Sequence, residues 1–248
     1  NNAGNYPYTI GTLSAGPNYT LSIGGINTFA ITSRPVVITP VAGQSKLYGE
    51  PDPSFAYTAS ETLQSGDEFN GALGRAPGNT AGTYAYNLGS LSAGGNYQLT
   101  LGGSNLFTIL PKPVAISPNA DQFKIYGGAD PVFTFTNNAG LSSGDFTGAL
   151  GRLSGNNAGV YPYTINTLSA GSNYSLSLVD GIKFEIKKAA LEVKADLKWI
   201  YKGQTLPVFT SVITGLKNND NPTVSYTLSP ACTGAAGVYT IIPLLNPF

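Results

Sequence analysis

Large apolar side chains alternate with small or polar ones in many short stretches of the chain. In residues 83–88, for example, Tyr84 and Tyr86 occupy alternate positions and therefore one face of an extended segment. The same period occurs in residues 55–58 and 133–136, and turn-forming Gly, Pro and Asn separate such stretches. We therefore predict a mostly β chain of short strands joined by many turns.

Three further segments refine this prediction. Residues 97–101 and 106–109 are strand-like and are separated by the four residues Gly-Gly-Ser-Asn, which predicts a β-hairpin. Residues 182–186 carry charges at alternate positions, so one face of that strand is expected to be solvated. Residues 61–71 lack strand periodicity and are expected to form a loop or one short helical turn.

The chain repeats itself with a period of about 78 residues. Residues 46–55 recur as residues 124–133, and the Ser-Gly-Asp triplet that ends at Asp67 recurs at Asp145. Leu-Ser-Ala-Gly occurs three times, each time followed by an Asn-Tyr pair: Asn18-Tyr19, Asn96-Tyr97 and Asn173-Tyr174. The chain is therefore predicted to be a tandem array.

The repeat pattern divides the chain into four parts. They are a leading segment (1–35, the C-terminal part of a repeat), a first complete repeat (36–113), a second complete repeat (114–189) and a last repeat (190–248, the N-terminal part of a diverged repeat). Prolines such as Pro111 and Pro113 mark the junctions and restrict the backbone there. We therefore expect short, stiff linkers and an elongated rod.

Composition and charge exclude several classes of function. The chain has 13 basic and 13 acidic residues with no Lys/Arg cluster, so it lacks the electrostatic footprint of a nucleic-acid or anionic-membrane binder. No apolar run approaches the roughly 18 residues of a membrane-spanning helix, so no membrane insertion of this segment is expected. Without histidine there is no Ser-His-Asp triad, Cys-His dyad or His-ligated zinc, and we predict that the chain is not an enzyme.

Four recurring acids, Asp52, Asp130, Asp67 and Asp145, raise the question of paired catalytic carboxylates. Each is flanked by Gly or Pro, where an aspartate commonly caps a turn by bonding its own backbone. Turn capping is the interpretation we favour.

No cofactor is expected, and calcium is the one alternative that we weigh. Calcium requires six to eight oxygen ligands. No Asp-x-Asp-x-Asp-Gly loop occurs, and only Asp180 and Asp220 lie in suggestive turns.

Lys46, Lys124 and Cys232 each have a reactive and a structural interpretation. The lysines could form isopeptide bonds to an asparagine, but exposed lysines that protect an edge strand are the favoured interpretation. Cys232, the only cysteine, is expected to be a small buried hydrophobe or half of a disulfide whose partner lies elsewhere, rather than a reactive thiol.

The recurring Tyr and Asn residues also have two interpretations. Tyrosines such as Tyr48, Tyr86 and Tyr97 could be exposed platforms for glycans, but their alternation favours packing. Asn18 and Asn173 begin Asn-x-Ser/Thr sequons and are candidate glycosylation sites.

One motif carries a family resemblance. Both complete repeats contain Tyr-Gly-x-x-Asp-Pro, formed by Tyr48, Gly49, Asp52 and Pro53 and again by Tyr126, Gly127, Asp130 and Pro131. Together with Ser-Gly-Asp and Ala-Gly-x-Tyr, the motif resembles MBG ("mostly β-grasp") repeats of the Tyr-Gly-x type, found in large bacterial surface and secreted adhesin-like proteins. In the last repeat, Tyr201 is assigned to the motif tyrosine, with Lys202 in the glycine position and Gly203 displaced.

The resemblance implies β-grasp-like or β-sandwich-like repeats, export from the cell, and no catalytic residues. We expect a structural stalk or spacer segment of a bacterial cell-surface or secreted adhesin or surface filament. The alternative is that the repeats themselves bind glycans or another surface. Expected partners are the neighbouring repeats, and head-to-tail self-association is a further hypothesis because Ala3-Gly4 is equivalent to Ala236-Gly237.

Overall fold

The computed structural model describes residues 1–246, and these residues are almost entirely strands, turns and loops. The described residues contain no α-helix, and so none that is long and apolar enough to cross a membrane. The contacts define two compact units, one of Asn1–Pro113 with Ala170–Ser175 and the other of Val114–Ser169 with the chain from Leu176 onward.

The strands are short and follow the repeats. The leading segment forms β1 (Gly4–Pro7) and β2 (Thr28–Ile31). The first complete repeat has β3 (Arg34–Pro40), β4 (Ser45–Leu47), β5 (Tyr57–Ala59), β6 (Gly74–Arg75), β7 (Gly82–Asn87), β8 (Tyr97–Leu101) and β9 (Leu106–Leu110). The second has β10 (Lys112–Pro118), β11 (Phe123–Ile125), β12 (Phe135–Asn137), β13 (Gly151–Arg152), β14 (Gly159–Thr164), β15 (Tyr174–Leu178) and β16 (Lys183–Lys187). The last repeat has β17 (Glu192–Ala195), β18 (Ser211–Thr214), β19 (Thr223–Ser229) and β20 (Thr240–Asn246).

Each complete repeat contains two sheets. In the first, a three-stranded sheet has the order β5-β3-β8, and a four-stranded sheet has the order β4-β9-β7-β6. The central strand β3 is antiparallel to β5 and parallel to β8, while β9 is parallel to β4 and antiparallel to β7. The second complete repeat has the same orders, β12-β10-β15 and β11-β16-β14-β13.

The core of a complete repeat combines side chains from both sheets. Val36 and Ile38 of β3 form one buried cluster with Tyr86 of β7 and with Phe107 and Ile109 of β9. Their equivalents in the second repeat, including Val114, Ile116, Phe184 and Ile186, are buried as well. The arrangement is therefore sandwich-like, with one apolar layer between two sheets.

The alternation patterns are confirmed. In β7, Tyr84 and Tyr86 are at least partly buried while Ala85 and Asn87 are exposed. In β16, Phe184 and Ile186 are buried and the three charged positions are exposed.

The predicted hairpin of residues 97–101 and 106–109 is wrong, although both strands exist. β8 pairs in parallel with β3, whereas β9 lies in the other sheet. The connection between them is anchored on β3, because the Gly102 N–H donates to the Ile38 carbonyl (2.9 Å) and the Asn105 side chain donates to the Pro40 carbonyl (2.7 Å). Alternation and loop length identify strands but do not choose their partners.

The junction between the two complete repeats is shorter than the predicted proline linker. β9 ends at Leu110 and β10 begins at Lys112, so only Pro111 separates them. The boundaries predicted at 35/36 and 113/114 fall inside β3 and β10, and the four-part division of the chain remains a prediction.

The remaining segments are simpler. β1 pairs with β2, β17 with β18 and β19 with β20, each pair antiparallel. Residues 61–71 form a loop with a turn, whereas the equivalent place in the second complete repeat holds a 3-10 helix, Ser143–Asp145.

Candidate functional site

Three charged side chains, Lys46, Asp52 and the more distant Arg75, meet in the first complete repeat; we call them the ion cluster. Arg75 of β6 makes a bidentate pair with Asp52, with Nε–Oδ2 at 2.7 Å and Nη2–Oδ1 at 2.9 Å. Lys46 of β4 places its Nζ 2.6 Å from Asp52 Oδ1. The planar guanidinium matches a carboxylate in this fork geometry, which makes the pair directional as well as charged.

Arg75 also connects the ion cluster to the core. Its Nη1 donates to the carbonyl oxygens of Ala76 (2.9 Å) and Gly78 (2.8 Å). Its guanidinium carbon lies 4.8 Å from the ring centroid of Tyr84 and 5.3 Å from that of Phe107. The side chain therefore combines an ion pair, two backbone hydrogen bonds and a cation–π contact at one position.

The second complete repeat contains the same ion cluster. Arg152 pairs with Asp130 at 2.7 and 3.0 Å, and Lys124 lies 2.7 Å from the same carboxylate. Arg152 likewise donates to two backbone carbonyls and lies over Phe184. The recurrence of whole contact sets indicates a structural requirement of the repeat.

The two cations are more buried than the anion. The side chains of Lys46 and Arg75 are 8% and 7% exposed, and that of Asp52 is 34% exposed. The hydrogen bond from Arg75 lowers the pKa of Asp52 below its usual value; partial burial opposes this shift and Lys46 supports it. The pKa of Asp130 is lowered in the same way by Arg152.

The structure changes the interpretation of the recurring acids. Asp52 and Asp130 do not cap their own turns as expected: each precedes a proline, which has no N–H to offer, and each bonds distant cations instead. Asp67 accepts from the Tyr97 hydroxyl at 2.8 Å, also a distant partner. Only Asp145 bonds locally, accepting from the backbone N–H of Ser142 at 2.7 Å.

The favoured interpretation of Lys46 and Lys124 is also wrong. Both side chains are largely buried rather than exposed, although their strands do lie at the edge of a sheet. Each Nζ faces an aspartate already held by an arginine, which keeps the carboxylate ionised and favours an ion pair.

Acid is expected to weaken both complete repeats. The folded-state pKa of Asp52 lies below its unfolded value. The stabilisation that ionised Asp52 contributes is therefore complete above the unfolded pKa and is lost as the pH falls through the folded-state pKa. Urea unfolding followed by NMR from about pH 6 to about pH 2 measures this loss. Asp52→Asn should flatten the pH dependence of the unfolding free energy of the first complete repeat and leave that of the second unchanged. If the two repeats of this variant kept the same pH dependence, Asp52 would not be the group responsible.

The Tyr-Gly turn positions the aspartate of the ion cluster. Gly49 and Gly127 have φ of +87° and +84°, a region that glycine enters without steric cost. In the first complete repeat the Glu50 N–H closes the turn on the Leu47 carbonyl.

The same turn corrects the alignment of the last repeat. There the Gln204 N–H closes the turn on the Tyr201 carbonyl, and Gly203 has φ +87°. Gly203 therefore holds the glycine position and Lys202, not Tyr201, holds the tyrosine position.

With this alignment, the last repeat has lost the entire ion cluster. Counting from Gly203 places Ile200 at the lysine position and Leu206 at the aspartate position. The Leu228–Ile241 strand pair corresponds to the Arg75–Tyr86 pair, so leucine replaces arginine. Three ionic positions have become aliphatic together, which indicates that they act as one unit.

The motif tyrosine contacts the following repeat. The ring of Tyr48 packs edge-on against Tyr174 with centroids 5.5 Å apart, and the Tyr126 hydroxyl donates to Asp220 at 3.3 Å. Tyr86 and Tyr97 are buried in the core. The favoured packing interpretation of the tyrosines agrees with these contacts.

The Asn-Tyr pair supplies a second contact between neighbouring repeats, which we call the asparagine bridge. Asn173 Oδ1 accepts from the Ala81 N–H at 2.8 Å, while the Asn173 carbonyl accepts from the Lys112 N–H at 2.9 Å. Asn96 makes the equivalent bonds to Ala3 (2.8 Å) and Arg34 (2.8 Å). One asparagine thus connects its own repeat, the junction and the repeat before it.

The asparagine bridge bears on the candidate glycosylation sites. Asn173 is half-buried and its side-chain oxygen is engaged, whereas Asn18 is exposed. Modification of either residue remains a prediction.

Removing one asparagine bridge should loosen one junction only. Asn173→Ala is expected to accelerate exchange of the Ala81 amide about fivefold, because one hydrogen bond contributes about 1 kcal/mol. NMR hydrogen exchange on the full chain measures the rate. Asn96→Ala is the matched control and should deprotect Ala3 instead; a general rise in exchange in either variant would contradict a local bridge.

Cys232 is exposed and free, so the expectation of a buried hydrophobe is wrong. Among residues 1–246, no group of three or more Asp, Glu, Cys or His side chains is placed to hold a metal ion.

The fold and these recurring contacts define a tandem β-sandwich repeat protein. The family model for the MBG domain (YGX type) matches residues 36–108 and 114–184, which is more than half of the chain. The chain belongs to this family. No curated protein and no solved structure matches it.

Arg75 and Arg152 were not predicted as functional positions. The signal was present, since Gly-Ala-Leu-Gly-Arg recurs in both complete repeats. The role of the arginine could not be recognised from this motif alone, because its ion-pair partner Asp52 lies more than 20 residues earlier.

Proposed function

We propose that this chain is a structural stalk or spacer segment of a bacterial cell-surface or secreted adhesin or surface filament, without catalytic activity. The observation that carries the proposal is that the ion-cluster residues and the bridging asparagine make the same contacts in both complete repeats. They are engaged within the repeat, through the ion cluster, or at the junction, through the asparagine bridge.

The junction contacts suit a spacer. Between β9 and β10 a single proline, Pro111, leaves little backbone freedom, because proline fixes its own φ. The asparagine bridge and the motif tyrosine add side-chain contacts between consecutive repeats. In repeat arrays the stability is close to a sum of repeat and interface contributions, so each added repeat would extend the spacer without a new fold.

Small-angle X-ray scattering of the full chain tests the spacer proposal. We expect an extended particle whose maximum dimension is retained in Asn173→Ala but becomes broadly distributed when several Gly-Ser residues are inserted after Pro111. A compact particle, or an insertion without effect on the distribution, would exclude a stiff spacer.

The alternative function is adhesion by the repeats themselves. Exposed aromatic rings such as Tyr19 and Tyr201 are the groups that favour it, because such rings stack on sugar faces. A glycan array probed with the full chain and with Tyr19→Ala separates the two functions, since a spacer alone gives no Tyr19-dependent signal.

A further inference from the structure

Both complete repeats place a chemically labile peptide bond inside the ion cluster. The chain contains two Asp-Pro sequences, Asp52-Pro53 and Asp130-Pro131, and both aspartates belong to an ion cluster. The nitrogen of a prolyl peptide bond is a tertiary amide nitrogen, which leaves as a secondary amine and is protonated more readily than an ordinary peptide nitrogen. An aspartate carboxylate can also reach the carbonyl carbon of its own residue through a five-membered ring.

The reaction at such a bond consumes only water. A carboxylate oxygen of the aspartate bonds to the main-chain carbonyl carbon of the same residue, and the bond from that carbon to the proline nitrogen breaks. The nitrogen takes up a proton and becomes a new N-terminal amine, while the aspartate remains as a cyclic anhydride. Water then opens the anhydride to a C-terminal aspartic acid. Acid promotes the first step because the leaving nitrogen must be protonated.

The Asp-Pro bond is accessible and is held only weakly by the backbone. Asp52 and Pro53 are exposed, and residues 51–56 lie outside the strands. Within the described part of the chain, the main-chain groups of residues 51–54 make no hydrogen bond, and neither do those of residues 129–132 in the second complete repeat. The aspartate side chain is therefore the polar tie between this segment and the rest of its repeat.

The ion cluster restrains the attacking group. Arg75 contacts both oxygens of Asp52, at 2.7 and 2.9 Å, and Lys46 lies 2.6 Å from one of them. An oxygen that attacks the carbonyl carbon must give up its charge and these partners, so each contact raises the barrier. These two cations are the charged groups that face the carboxylate, and Arg75 itself lies over the ring of Tyr84.

The same contacts keep the aspartate in the form that reacts. The hydrogen bond from Arg75 lowers the pKa of Asp52, and that from Arg152 lowers the pKa of Asp130. Both carboxylates therefore stay ionised in acid that would protonate an ordinary aspartate. The nucleophile is present but is not free to move.

The last repeat links the labile bond to the ion cluster. Pro207 holds the position of Pro53, but it follows Leu206 rather than an aspartate. The proline therefore occurs without the aspartate in the repeat that has also lost the lysine and the arginine. The Leu206-Pro207 bond has no attacking side chain, so it is a resistant control within the same chain.

We propose that Asp52-Pro53 and Asp130-Pro131 are self-cleavage sites and that the ion cluster of each repeat restrains them. Loss of the cluster frees the aspartate to attack its own carbonyl carbon, and the chain breaks once at that place. In the first complete repeat the break separates β3 and β4 from the later strands. β3 still pairs with β5 and β8, and β4 with β9, so the cut repeat stays assembled until it unfolds.

Intact-mass spectrometry after denaturation measures the cleavage of the full chain. The chain is incubated at the lowest pH at which circular dichroism shows that the parent and all variants are folded. We expect the folded parent to stay largely uncut. In concentrated urea at the same pH the fragments 1–52, 53–130 and 131–248 should appear at least about tenfold faster, because one hydrogen bond to a charged group alone contributes about that factor. Leu206-Pro207 should stay intact.

Three variants assign the restraint and the nucleophile. Arg75→Leu should accelerate the cut at Asp52-Pro53 in the folded chain at least about tenfold and leave the cut in the second complete repeat unchanged. Ile38→Ala changes a fully buried core residue outside the ion cluster, weakens the same repeat, and should not reproduce this acceleration. Asp52→Leu should abolish the first cut under every condition, urea included.

Three results would overturn the proposal. Intact chains after incubation in urea would show that the two bonds are not labile. Equal acceleration by Ile38→Ala and Arg75→Leu would show that the fold as a whole, and not the ion cluster, protects the bond. A cut between residues 52 and 53 that persists in Asp52→Leu would show that another agent breaks the chain.

Discussion

Phe107→Ala is expected to lower the free energy of unfolding of the first complete repeat by about 3–5 kcal/mol. Phe107 is fully buried, and its ring centroid lies 5.0 Å from that of Phe55 and 6.4 Å from that of Tyr86. Alanine would leave a cavity between the two sheets and would also remove the ring beneath Arg75. Hydrogen exchange with mass spectrometry on the full chain measures the effect strand by strand.

The leading segment provides a matched control. Phe29→Ala makes the same change at the equivalent position of β2, where the ring is half exposed, and should cost less than about 1 kcal/mol. The amides of β10 and β16 serve as an internal reference in both variants. A comparable loss in the two variants would mean that the core of the first complete repeat does not depend on Phe107.

The second large effect concerns the ion cluster. Arg75→Leu is expected to destabilise the first complete repeat by about 2–4 kcal/mol, somewhat below the range for fully buried pairs because Asp52 is partly exposed. The change leaves the Ala76 and Gly78 carbonyls without their donor and removes the bidentate partner of Asp52.

The last repeat indicates how this loss can be reversed. The triple variant Lys46→Ile, Asp52→Leu, Arg75→Leu copies the aliphatic set of the last repeat and should recover most of the stability, to within about 1–2 kcal/mol of the parent, because no buried charge remains unpaired. Urea unfolding resolved by NMR for each repeat compares the variants. Arg34→Leu, which breaks only the exposed pair with Glu61, is the control and should cost less than about 1 kcal/mol. A triple variant less stable than Arg75→Leu would refute the idea of a cooperative exchange.

Local chemistry made much of this fold predictable from sequence. Side-chain alternation in β7 and β16 depends only on the pleat, and the repeat period follows from direct comparison of the chain with itself. The turn at Gly49 is equally local, since it needs a residue that tolerates positive φ.

Partner choice was not predictable in the same way. β8 and β9 were correctly placed in sequence but wrongly paired with each other, because alternation does not say which neighbour completes a sheet. Asp52 was assigned to its own turn because its partners, Lys46 and Arg75, are brought to it only by the pairing of β4 with β9 and of β6 with β7. Likewise, the role of Asn96 and Asn173 exists only between repeats.

The parallel pairing of β3 with β8 has a consequence for how the chain reaches its fold. β8 meets two nearly equivalent strands during folding: β3, whose Arg34 pairs with Tyr97, and β10, which begins soon after β8 ends. During synthesis from the N-terminus, only β3 is present when β8 emerges. During refolding from denaturant, β3 and β10 are both present, so β8 can pair with the strand of the wrong repeat. In the folded chain the more distant pairing is the one observed. Residues 19–23, which are equivalent to β8, do not pair with the adjacent β3; β3 pairs instead with β8, more than 60 residues away.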